Sequence, residues 1–170
     1  MDLKLANKVV FVSGSSSGIG FSIAKVLYNE GCTVILNGRH KSSLKKSAKS
    51  IGDNVDYFPC DITKLPNCKS AIKYIIKKYG KLDVVVCNVG SGHSVPTGEE
   101  TLQDWKKMFD INFFSTTNLI ESCKIELSKT TGSIVCISSI AGITGSPVLG
   151  AYSISKTADL GLVRSLAVEW

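Results

Sequence analysis

Residues 9–20 read VVFVSGSSSGIG, an apolar run followed by three glycines within seven positions. The run Val9–Val12 is typical of a buried parallel strand. Apolar residues then recur with the spacing of one helical face, at Ile19, Ile23, Val26 and Leu27. The glycines therefore lie in a turn between a strand and a helix, where glycine tolerates positive φ and lets the backbone approach a ligand closely.

A turn of this kind suits the phosphates of a dinucleotide. The helix that follows directs free N–H groups and the positive end of its dipole toward the turn. The spacing of Gly14, Gly18 and Gly20 departs from the common G-x-G-x-x-G pattern. From this stretch alone, a tight turn without any ligand is the alternative, so the rest of the chain has to distinguish the two.

Length and composition restrict the class of protein. The chain has 170 residues, 44% of them hydrophobic, which predicts one folded domain over residues 1–170. Its apolar stretches have the length of strands, so neither a membrane span nor a secretory signal is expected. The net charge is +6, but the lysines are spread over several predicted helices, without a basic run interleaved with aromatic residues. We therefore expect a solvated lysine-rich surface and no nucleic-acid partner.

Six cysteines are scattered through the chain without a Cys-x-x-Cys pair. Several lie inside apolar runs, where a free thiol packs as a small hydrophobic side chain. A disulfide framework and a zinc site are the less favoured interpretations. The pattern predicts free thiols, no metal and a reducing, cytoplasmic location.

Strand and helix patterns alternate along the chain. The predicted strands are Val9–Val12, Thr33–Leu36, Val55–Phe58, Leu82–Cys87 and Ser133–Ile137. After the first helix, the predicted helices cover Lys41–Ile51, Leu65–Tyr79, a segment begun by Thr101, Asp110–Leu127, and Tyr152 to the end. Repeated strand–helix units imply an α/β fold, a doubly wound parallel sheet of the Rossmann type with helices on both faces.

Polar residues and glycines follow each predicted strand. They are Gly14–Gly20, Asn37–Arg39, Asp61, Asn88 with Gly90, and Ser138 with Ser139. In such a sheet the ligand binds beyond the carboxyl ends of the strands, where the strand order reverses. We therefore expect these residues to converge on one edge of the sheet, and this convergence argues for a ligand more strongly than any single motif.

The carboxyl end of the sequence lacks the signals of a completed sheet. The last predicted helix runs to Trp170 without a glycine, a proline or another stop signal. The fifth strand, Ser133–Ile137, would then form an exposed apolar edge, which soluble proteins avoid. We expect a chain truncated at its C-terminus, without the later strands and the substrate loop, or a partner that covers this edge.

The residues after the second strand bear on the choice between two nicotinamide cofactors. Proteins that prefer NAD place an acidic residue on the ribose about 20 positions beyond the glycine turn. Here Asn37, Gly38, Arg39 and His40 contain no carboxylate. Arg39 is suited to a 2′-phosphate through a bidentate, charge-assisted contact, although a solvated loop arginine is equally compatible with the sequence. The missing acid favours NADP over NAD.

Tyr152 and Lys156 lie four residues apart at the start of the last predicted helix, so they face the same way. A nearby ammonium favours the phenolate form of a tyrosine, which makes Tyr152 a candidate general acid or base. Ser139 ends the fifth strand and is a candidate to hydrogen-bond a substrate oxygen. A Tyr-x-x-x-Lys pair also occurs by chance on surface helices, so it gains weight only together with the glycine turn.

The motifs described so far, in this order, resemble the short-chain dehydrogenase/reductase family over nearly the whole chain. The resemblance implies a catalytic set of Asn112, Ser139, Tyr152 and Lys156. It implies a cofactor site of Gly14, Ser16, Ser17, Gly18, Ile19, Gly20, Arg39, Asp61, Asn88, Gly90 and Lys156. Val89 departs from the family's Asn-Ala-Gly element, and Ser17 stands where some NADP-preferring members carry a second basic residue.

The family mechanism is likewise implied by the resemblance. The nicotinamide gives or takes a hydride at a carbonyl or alcohol carbon, and Tyr152 exchanges the proton on the oxygen. Ser139 orients that oxygen, while Lys156 binds the nicotinamide ribose and supports the phenolate. Asn112 supports Lys156 through a water-linked proton relay. The implied partners are a small carbonyl or alcohol substrate and further copies of the chain in a homo-oligomer.

Each of these residues has a structural alternative when it is taken singly. Asp61 is able to cap a turn, and Asn88 is able to end a strand. Asn112 is able to hydrogen-bond the backbone of its helix, and Ser139 is able to be a loop residue beside Ser138. Their coincidence in family order and spacing favours an NADP-dependent oxidoreductase. The competing hypothesis is a nucleotide-binding scaffold, or an inactive fragment, without turnover.

Overall fold

Strands and helices alternate along the computed structural model, which describes residues 3–170. Met1 and Asp2, the first residues of the predicted domain, lie outside the described residues. The strands are β1 (Val9–Val12), β2 (Thr33–Gly38), β3 (Asp56–Pro59), β4 (Val84–Cys87) and β5 (Ser133–Cys136). The helices are α1 (Gly18–Asn29), α2 (Lys41–Ile51), α3 (Leu65–Tyr79), α4 (Leu102–Phe109), α5 (Ser115–Thr130), α6 (Ala141–Thr144) and α7 (Gly150–Glu169), with a π-helical turn at Asp110–Phe114.

The strands form one sheet in the order β3-β2-β1-β4-β5. β1 pairs in parallel with β2 and with β4, and β2 pairs in parallel with β3. At the other edge, the backbone N–H of Ser133 donates to the carbonyl of Asp83 over 2.9 Å, at the start of β5. The strand order reverses between β1 and β4, so the predicted α/β fold with a doubly wound parallel sheet is confirmed.

The chain divides into two units. The first holds residues up to 88 together with 118–135, and the second holds residues 89–117 and 136–170. In the first unit every residue of β1 is buried, and so are residues 34–37 of β2. Burial on both faces explains why these strands appear in the sequence as unbroken apolar runs rather than as alternating patterns.

The residues that α3 buries recur with the spacing of one helical face. The buried residues are Cys68, Ala71, Ile72 and Ile75, which share one face of the helix. The helix is followed by Gly80, which adopts a φ of 76° and donates its N–H to the carbonyl of Ile76. Because this left-handed conformation favours glycine, the residue type and the end of the helix agree.

In the first unit, the Asp56 carboxylate accepts hydrogen bonds from three side chains of α3. The Oδ2 atom of Asp56 accepts hydrogen bonds from the hydroxyls of Tyr74 (2.7 Å) and Tyr79 (2.8 Å), and from the Lys78 ammonium (2.8 Å). Burial opposes ionisation of this carboxyl, but the hydrogen bonds from Lys78 and the phenols outweigh it, so the pKa of Asp56 lies below its ordinary value. Burial and the Asp56 carboxylate raise the pKa of Tyr79 to about 12. Charged hydrogen bonds thus fasten β3 to α3.

Replacing Asp56 by asparagine is expected to lower the free energy of unfolding by about 1–2 kcal/mol at neutral pH, because three donors lose their charged acceptor. A carboxyl with a depressed folded pKa stabilises the protein above its unfolded pKa of about 3.9, and this contribution is lost as the pH falls through the folded pKa. Urea unfolding of both proteins should therefore show a difference that shrinks below about pH 4. Asp53→Asn, at an exposed residue, is the matched control. A difference independent of pH would contradict the assigned role of Asp56.

In the second unit, the helix predicted to begin at Thr101 is present as α4, and a capping box lies at its start. Thr101 Oγ1 accepts from the N–H of Asp104 (3.2 Å), and Asp104 Oδ2 accepts from the N–H of Thr101 (3.0 Å). The helix predicted to begin near Asp110 is instead continuous with α4, because the π-helical turn joins α4 to α5. α6 was not predicted, since its four residues are too few to show a period.

α7 carries an unusual set of buried residues for a long helix. It packs against α4, the π-helical turn and α6. Ser153, Ser155, Lys156 and Asp159 are buried along it. Within residues 3–170, no helix is both long and apolar enough to cross a membrane.

The six cysteines all lie within residues 3–170, and no disulfide joins any of them. Cys32, Cys68, Cys87 and Cys123 are buried. Burial raises the pKa of the Cys68 thiol to about 12 and that of the Cys60 thiol to about 11. Thiols of this kind are poor nucleophiles at neutral pH, so their role here is packing.

Candidate active site

The glycine turn joins β1 to α1 in the first unit. Gly14 and Gly18 adopt φ values of 60° and 59°, a conformation that favours glycine. Ser15 fastens the turn to the neighbouring strands. Its N–H donates to the carbonyl of Asn37 over 2.8 Å, and its hydroxyl donates to the carbonyl of Val12 over 2.7 Å. The turn is therefore preformed without a ligand.

The start of α1 suits an anion. Ser17, which precedes the helix, makes no side-chain capping bond, and the first turn of α1 contains no acidic residue. The first N–H groups of the helix therefore depend on a ligand or on water for an acceptor. Ile19 lies among them and is 65% exposed. A phosphate group with an apolar neighbour fits this arrangement.

Asn88 holds the turn in shape from the end of β4. Its side-chain amide donates to the carbonyls of Ser13 (3.0 Å) and Gly14 (3.1 Å), and its backbone N–H donates to the Ser13 hydroxyl (2.8 Å). A Cβ atom at Gly20 would lie 2.5 Å from the Asn88 amide nitrogen and 2.6 Å from the Gly14 carbonyl oxygen. Gly20 therefore has to be glycine, and Asn88 supports the turn through hydrogen bonds.

The residues that bear on cofactor choice lie at the end of β2. Gly38 is close to the turn, since a Cβ atom there would lie 3.3 Å from the Ser16 hydroxyl. Ser16 is in turn fixed by the Ser47 hydroxyl, which donates to its carbonyl over 2.8 Å. Arg39 follows directly and is exposed. A ligand beside Ser16 and Gly38 would therefore meet the arginine without a competing carboxylate among residues 37–40.

Asp61 lies between β3 and α3, where its carboxylate closes a local turn. Oδ1 accepts from the N–H of Thr63 (3.0 Å) and from its hydroxyl (2.8 Å). Nearby, the side chain of Asn37 donates to the carbonyls of Phe58 (3.0 Å) and Cys60 (3.3 Å), which ties the ends of β2 and β3 together. Asp61 therefore does cap a turn, as the structural alternative supposed. Only Oδ1 is used in this cap, so Oδ2 is left for a ligand.

In the second unit, the π-helical turn presents Asn112 to the segment after β4. Asn112 is fully buried. Its Oδ1 accepts from the N–H of Ser91 (2.7 Å), and its Nδ2 donates to the Ser91 carbonyl (3.1 Å). A Cβ atom at Gly90 would lie 3.1 Å from Asn112 Oδ1 and 3.5 Å from Lys156 Nζ. Gly90, Asn112 and Lys156 are therefore brought together in the second unit.

Lys156 is the most buried cation of the candidate site. Its ammonium donates to the carbonyl of Ile137 and to Asp159 Oδ2, each over 2.9 Å. The two side chains of the ion pair are 5% and 2% exposed. Sequence reasoning missed Asp159, although an acidic residue three positions after Lys156 on a helix was a readable signal.

Tyr152 lies one helical turn before Lys156 and is half-buried. A Cβ atom at Gly92 would lie 4.0 Å from its ring carbon Cζ, so this loop runs beside the phenol. The Ser139 hydroxyl accepts from the N–H of Ala141 over 3.2 Å. Ser138 donates to the carbonyl of Lys156 over 3.2 Å, which gives that neighbour a structural contact of its own. Tyr152 and Ser139 both belong to the second unit.

Glu100 caps α7, the helix that carries Tyr152 and Lys156. The residue before this helix provides no side-chain cap. Instead, Glu100 Oε1 accepts from the N–H of Ala151 (3.0 Å), and Oε2 accepts from the N–H of Gly98 (2.7 Å). Gly150 has to lack a side chain, because a Cβ atom there would overlap the Glu100 carboxylate. Sequence reasoning had no signal for this cap, since some 50 residues separate the partners.

Replacing Glu100 by alanine is expected to lower the free energy of unfolding by about 1–2 kcal/mol, because α7 loses a charged cap at its positive end. Denaturant unfolding of the purified protein measures this change. Glu99→Ala, at the exposed neighbouring residue, is the control and should have little effect. Equal stability of the two variants would contradict the capping role.

The comparisons with known proteins agree with this architecture. A family model described as short chain dehydrogenase matches residues 8–170. The 3-oxoacyl-[acyl-carrier-protein] reductase of Rickettsia prowazekii is 33% identical over 168 residues, with 98% of this chain and 68% of that protein covered. A short chain dehydrogenase of Shigella flexneri complexed with NADP is 34% identical, with a TM-score of 0.90 and coverage of 98% and 73%. An NAD⁺-bound xylitol dehydrogenase is 25% identical, with a TM-score of 0.93 and coverage of 98% and 66%.

The chain therefore belongs to the short-chain dehydrogenase family of oxidoreductases. It spans 55% to 68% of the length of eight curated relatives that it matches. The resemblance inferred from the sequence motifs is confirmed at the level of family and fold.

Proposed function

We propose that this protein is an NADP-dependent oxidoreductase that transfers a hydride between the nicotinamide and a carbonyl or alcohol substrate. The observation that carries the proposal is the buried Lys156 ammonium, one helical turn from Tyr152 and beside Gly90 and Asn112. Burying a charge costs several kcal/mol of desolvation, and a packed hydrophobic residue at the same position would avoid that cost. The presence of a buried charge beside a tyrosine therefore favours a chemical role over a structural one.

Tyr152 is the proposed general acid in carbonyl reduction and the general base in alcohol oxidation. The Lys156 ammonium stabilises the phenolate that remains after the proton has left. Ser139 hydrogen-bonds the substrate oxygen and orients it toward the phenol. Asn112 holds the segment at Ser91 through two hydrogen bonds and thereby shapes the surroundings of Lys156. The bound nicotinamide supplies or accepts the hydride, while the protein supplies position and electrostatics.

The residues of the first unit fit the phosphate part of a dinucleotide. Three features support this assignment. They are the close approach of backbone at Gly20, the start of α1 without a side-chain cap, and the exposed side chain of Ile19. Ser16, Ser17 and the N–H groups from Gly18 onward would bind the phosphates. Asp61 would meet the adenine ring. Asn88 would contribute through the shape of the turn, and Lys156 through the nicotinamide ribose.

NADP is proposed over NAD because of the residues after β2. One of the similar structures holds NADP and another holds NAD⁺, so the preference is argued from this chain alone. Gly38 leaves room beside Ser16, and the exposed guanidinium of Arg39 follows it. A carboxylate at this place would accept ribose hydroxyls and repel a 2′-phosphate, whereas an arginine binds the phosphate bidentately.

The proposal extends to partners and location. The substrate is a small carbonyl or alcohol compound. Self-association is proposed through the apolar side chains that α7 exposes, among them Ile154 at 50% and Val163 at 41%, and sedimentation velocity would detect it. A reducing, cytoplasmic location is proposed because the six cysteines form no disulfide.

The test is to mix the protein with NADPH and a panel of ketones and to follow the loss of reduced-cofactor absorbance. Turnover of any ketone above the rate without protein is the expected result. NADPH binding without turnover, also in a form extended at the C-terminus, would instead favour a nucleotide-binding scaffold. That second candidate is kept because the chain spans only part of the length of its relatives.

A further inference from the structure

The ion pair between Lys156 and Asp159 is an element that the proposed mechanism does not use. Both residues lie on α7, and their side chains are 5% and 2% exposed. The Lys156 ammonium donates hydrogen bonds to two acceptors, the Asp159 carboxylate and the carbonyl of Ile137, each over 2.9 Å. One ammonium hydrogen is left for a ligand after these two contacts.

The second oxygen of the same carboxylate is under-satisfied. Asp159 Oδ1 is buried and has no hydrogen-bond partner. A buried carboxylate with one oxygen unpaired is costly, so it is retained only where its charge is compensated. Burial raises the pKa of Asp159, and Lys156 counteracts that rise. The compensation therefore comes from Lys156.

The other charged groups on the elements that pack against α7 are exposed or engaged by other partners. α6, which packs on α7, carries no titratable side chain. On α4 and the π-helical turn, Lys106, Lys107 and Asp110 are exposed, and Asp104 is engaged in the capping box with Thr101. Tyr152, on α7 itself, is the remaining titratable side chain within one helical turn of Lys156. On the loop before α4, His93 and Glu99 are exposed, and Glu100 is engaged by the N–H groups of Ala151 and Gly98. Asp159 is therefore the carboxylate paired with Lys156, and Tyr152 is the neighbouring titratable group on the same helix.

We propose that Asp159 is a positioning residue that holds the Lys156 ammonium and offsets part of its charge at Tyr152, and thereby sets the pH range of catalysis. This inference rests on the proposed function of Tyr152 and Lys156. An uncompensated ammonium would favour the phenolate more strongly than an ammonium backed by a carboxylate. Removing the charge of this carboxylate is therefore expected to move the working range of the enzyme to lower pH.

The first arm of the test uses the pH profile of NADP⁺-dependent alcohol oxidation. Asp159→Asn keeps the shape of the side chain and removes its charge. We expect the whole kcat profile to move to lower pH by about one unit, because the Lys156 ammonium is then no longer offset by the Asp159 carboxylate. Asp110→Asn removes the same charge at an exposed residue and should leave the profile in place.

The outcomes separate the inference from the proposed function. Turnover in both proteins with superimposable profiles would overturn the role of Asp159 and leave the oxidoreductase standing. A lack of turnover both in the unsubstituted protein and in a form extended at the C-terminus would contradict the proposed function, and the charge-offset role would fall with it. A shift of equal size in Asp110→Asn would assign the effect to net charge and overturn the inference.

The second arm needs neither turnover nor a folded Asp159→Asn variant. Nitrogen-15 NMR of the unsubstituted protein observes the lysine ammonium groups, and Lys156→Arg identifies the Lys156 signal by its loss. Because two buried acceptors hold this ammonium, its hydrogens should exchange with water at least about 10-fold more slowly than those of the exposed Lys69 and Lys73. If the ammonium hydrogens of Lys156 exchanged with water as fast as those of the exposed lysines, the proposal that Asp159 holds Lys156 would be wrong.

Discussion

Tyr152→Phe is expected to lower kcat by roughly 10²- to 10⁴-fold while leaving the affinity for NADPH within about twofold. The phenyl ring keeps the packing of the half-buried tyrosine on α7 but has no proton to exchange with the substrate oxygen. Lys156 and its contacts to Ile137 and Asp159 do not involve the hydroxyl, so they should persist. Steady-state turnover and cofactor titration by fluorescence measure the two quantities separately.

The matched control for this variant is another tyrosine of similar exposure. Tyr57→Phe lies in β3, which belongs to the first unit and carries no candidate catalytic residue. It should retain turnover near that of the unsubstituted protein. Turnover retained in Tyr152→Phe would remove this residue from the mechanism, whereas loss of NADPH binding would indicate damage to the fold instead.

Arg39→Ala is expected to weaken NADPH binding by roughly 10- to 100-fold, because a charge-assisted bidentate contact to the 2′-phosphate is lost. The affinity for NADH should change little, since that cofactor has no phosphate at this position. The ratio of the two dissociation constants therefore reports the contact itself. Equilibrium titration with both cofactors provides the ratio.

Lys41→Ala is the matched control for the arginine. Lys41 is an exposed cation two residues further along, at the start of α2. Its removal lowers the net charge equally, and it should reduce both affinities by a similar small factor. If the unsubstituted protein showed no preference for NADPH, or if Arg39→Ala kept that preference, the cofactor would have been assigned wrongly.

Periodicity and turn chemistry predicted most of the fold. β1, α2 and α3 have the boundaries that their apolar patterns indicated. These elements bury a continuous run or one clear face, so a local pattern contains the necessary information. The π-helical turn and α6 were not predicted, because five and four residues leave no measurable period.

The candidate site was visible in the sequence where residue types recur at a fixed spacing, as in the glycine turn and the Tyr152–Lys156 pair. The contacts that position those residues were less visible. The bond from Glu100 to the backbone of Ala151 joins a loop to a helix some 50 residues later. A hydrogen bond of this kind depends on tertiary packing, which no local pattern contains. Asp159 was within reach of sequence reasoning, but an acidic residue on a helix is ordinarily solvated.

The π-helical turn has a consequence for how this chain tolerates insertions and deletions. A residue added to an α-helix rotates everything beyond it by about 100° around the axis, since one turn takes 3.6 residues. The widened turn at Asp110–Phe114 accommodates such an extra residue, with Asn112 at its centre. Deleting one residue there would restore the regular hydrogen bonds of an α-helix. It would also rotate the Asn112 side chain away from Ser91 and break the two hydrogen bonds between them. Natural variation in length should therefore spare these five positions and fall in the loops before α4 and after α5.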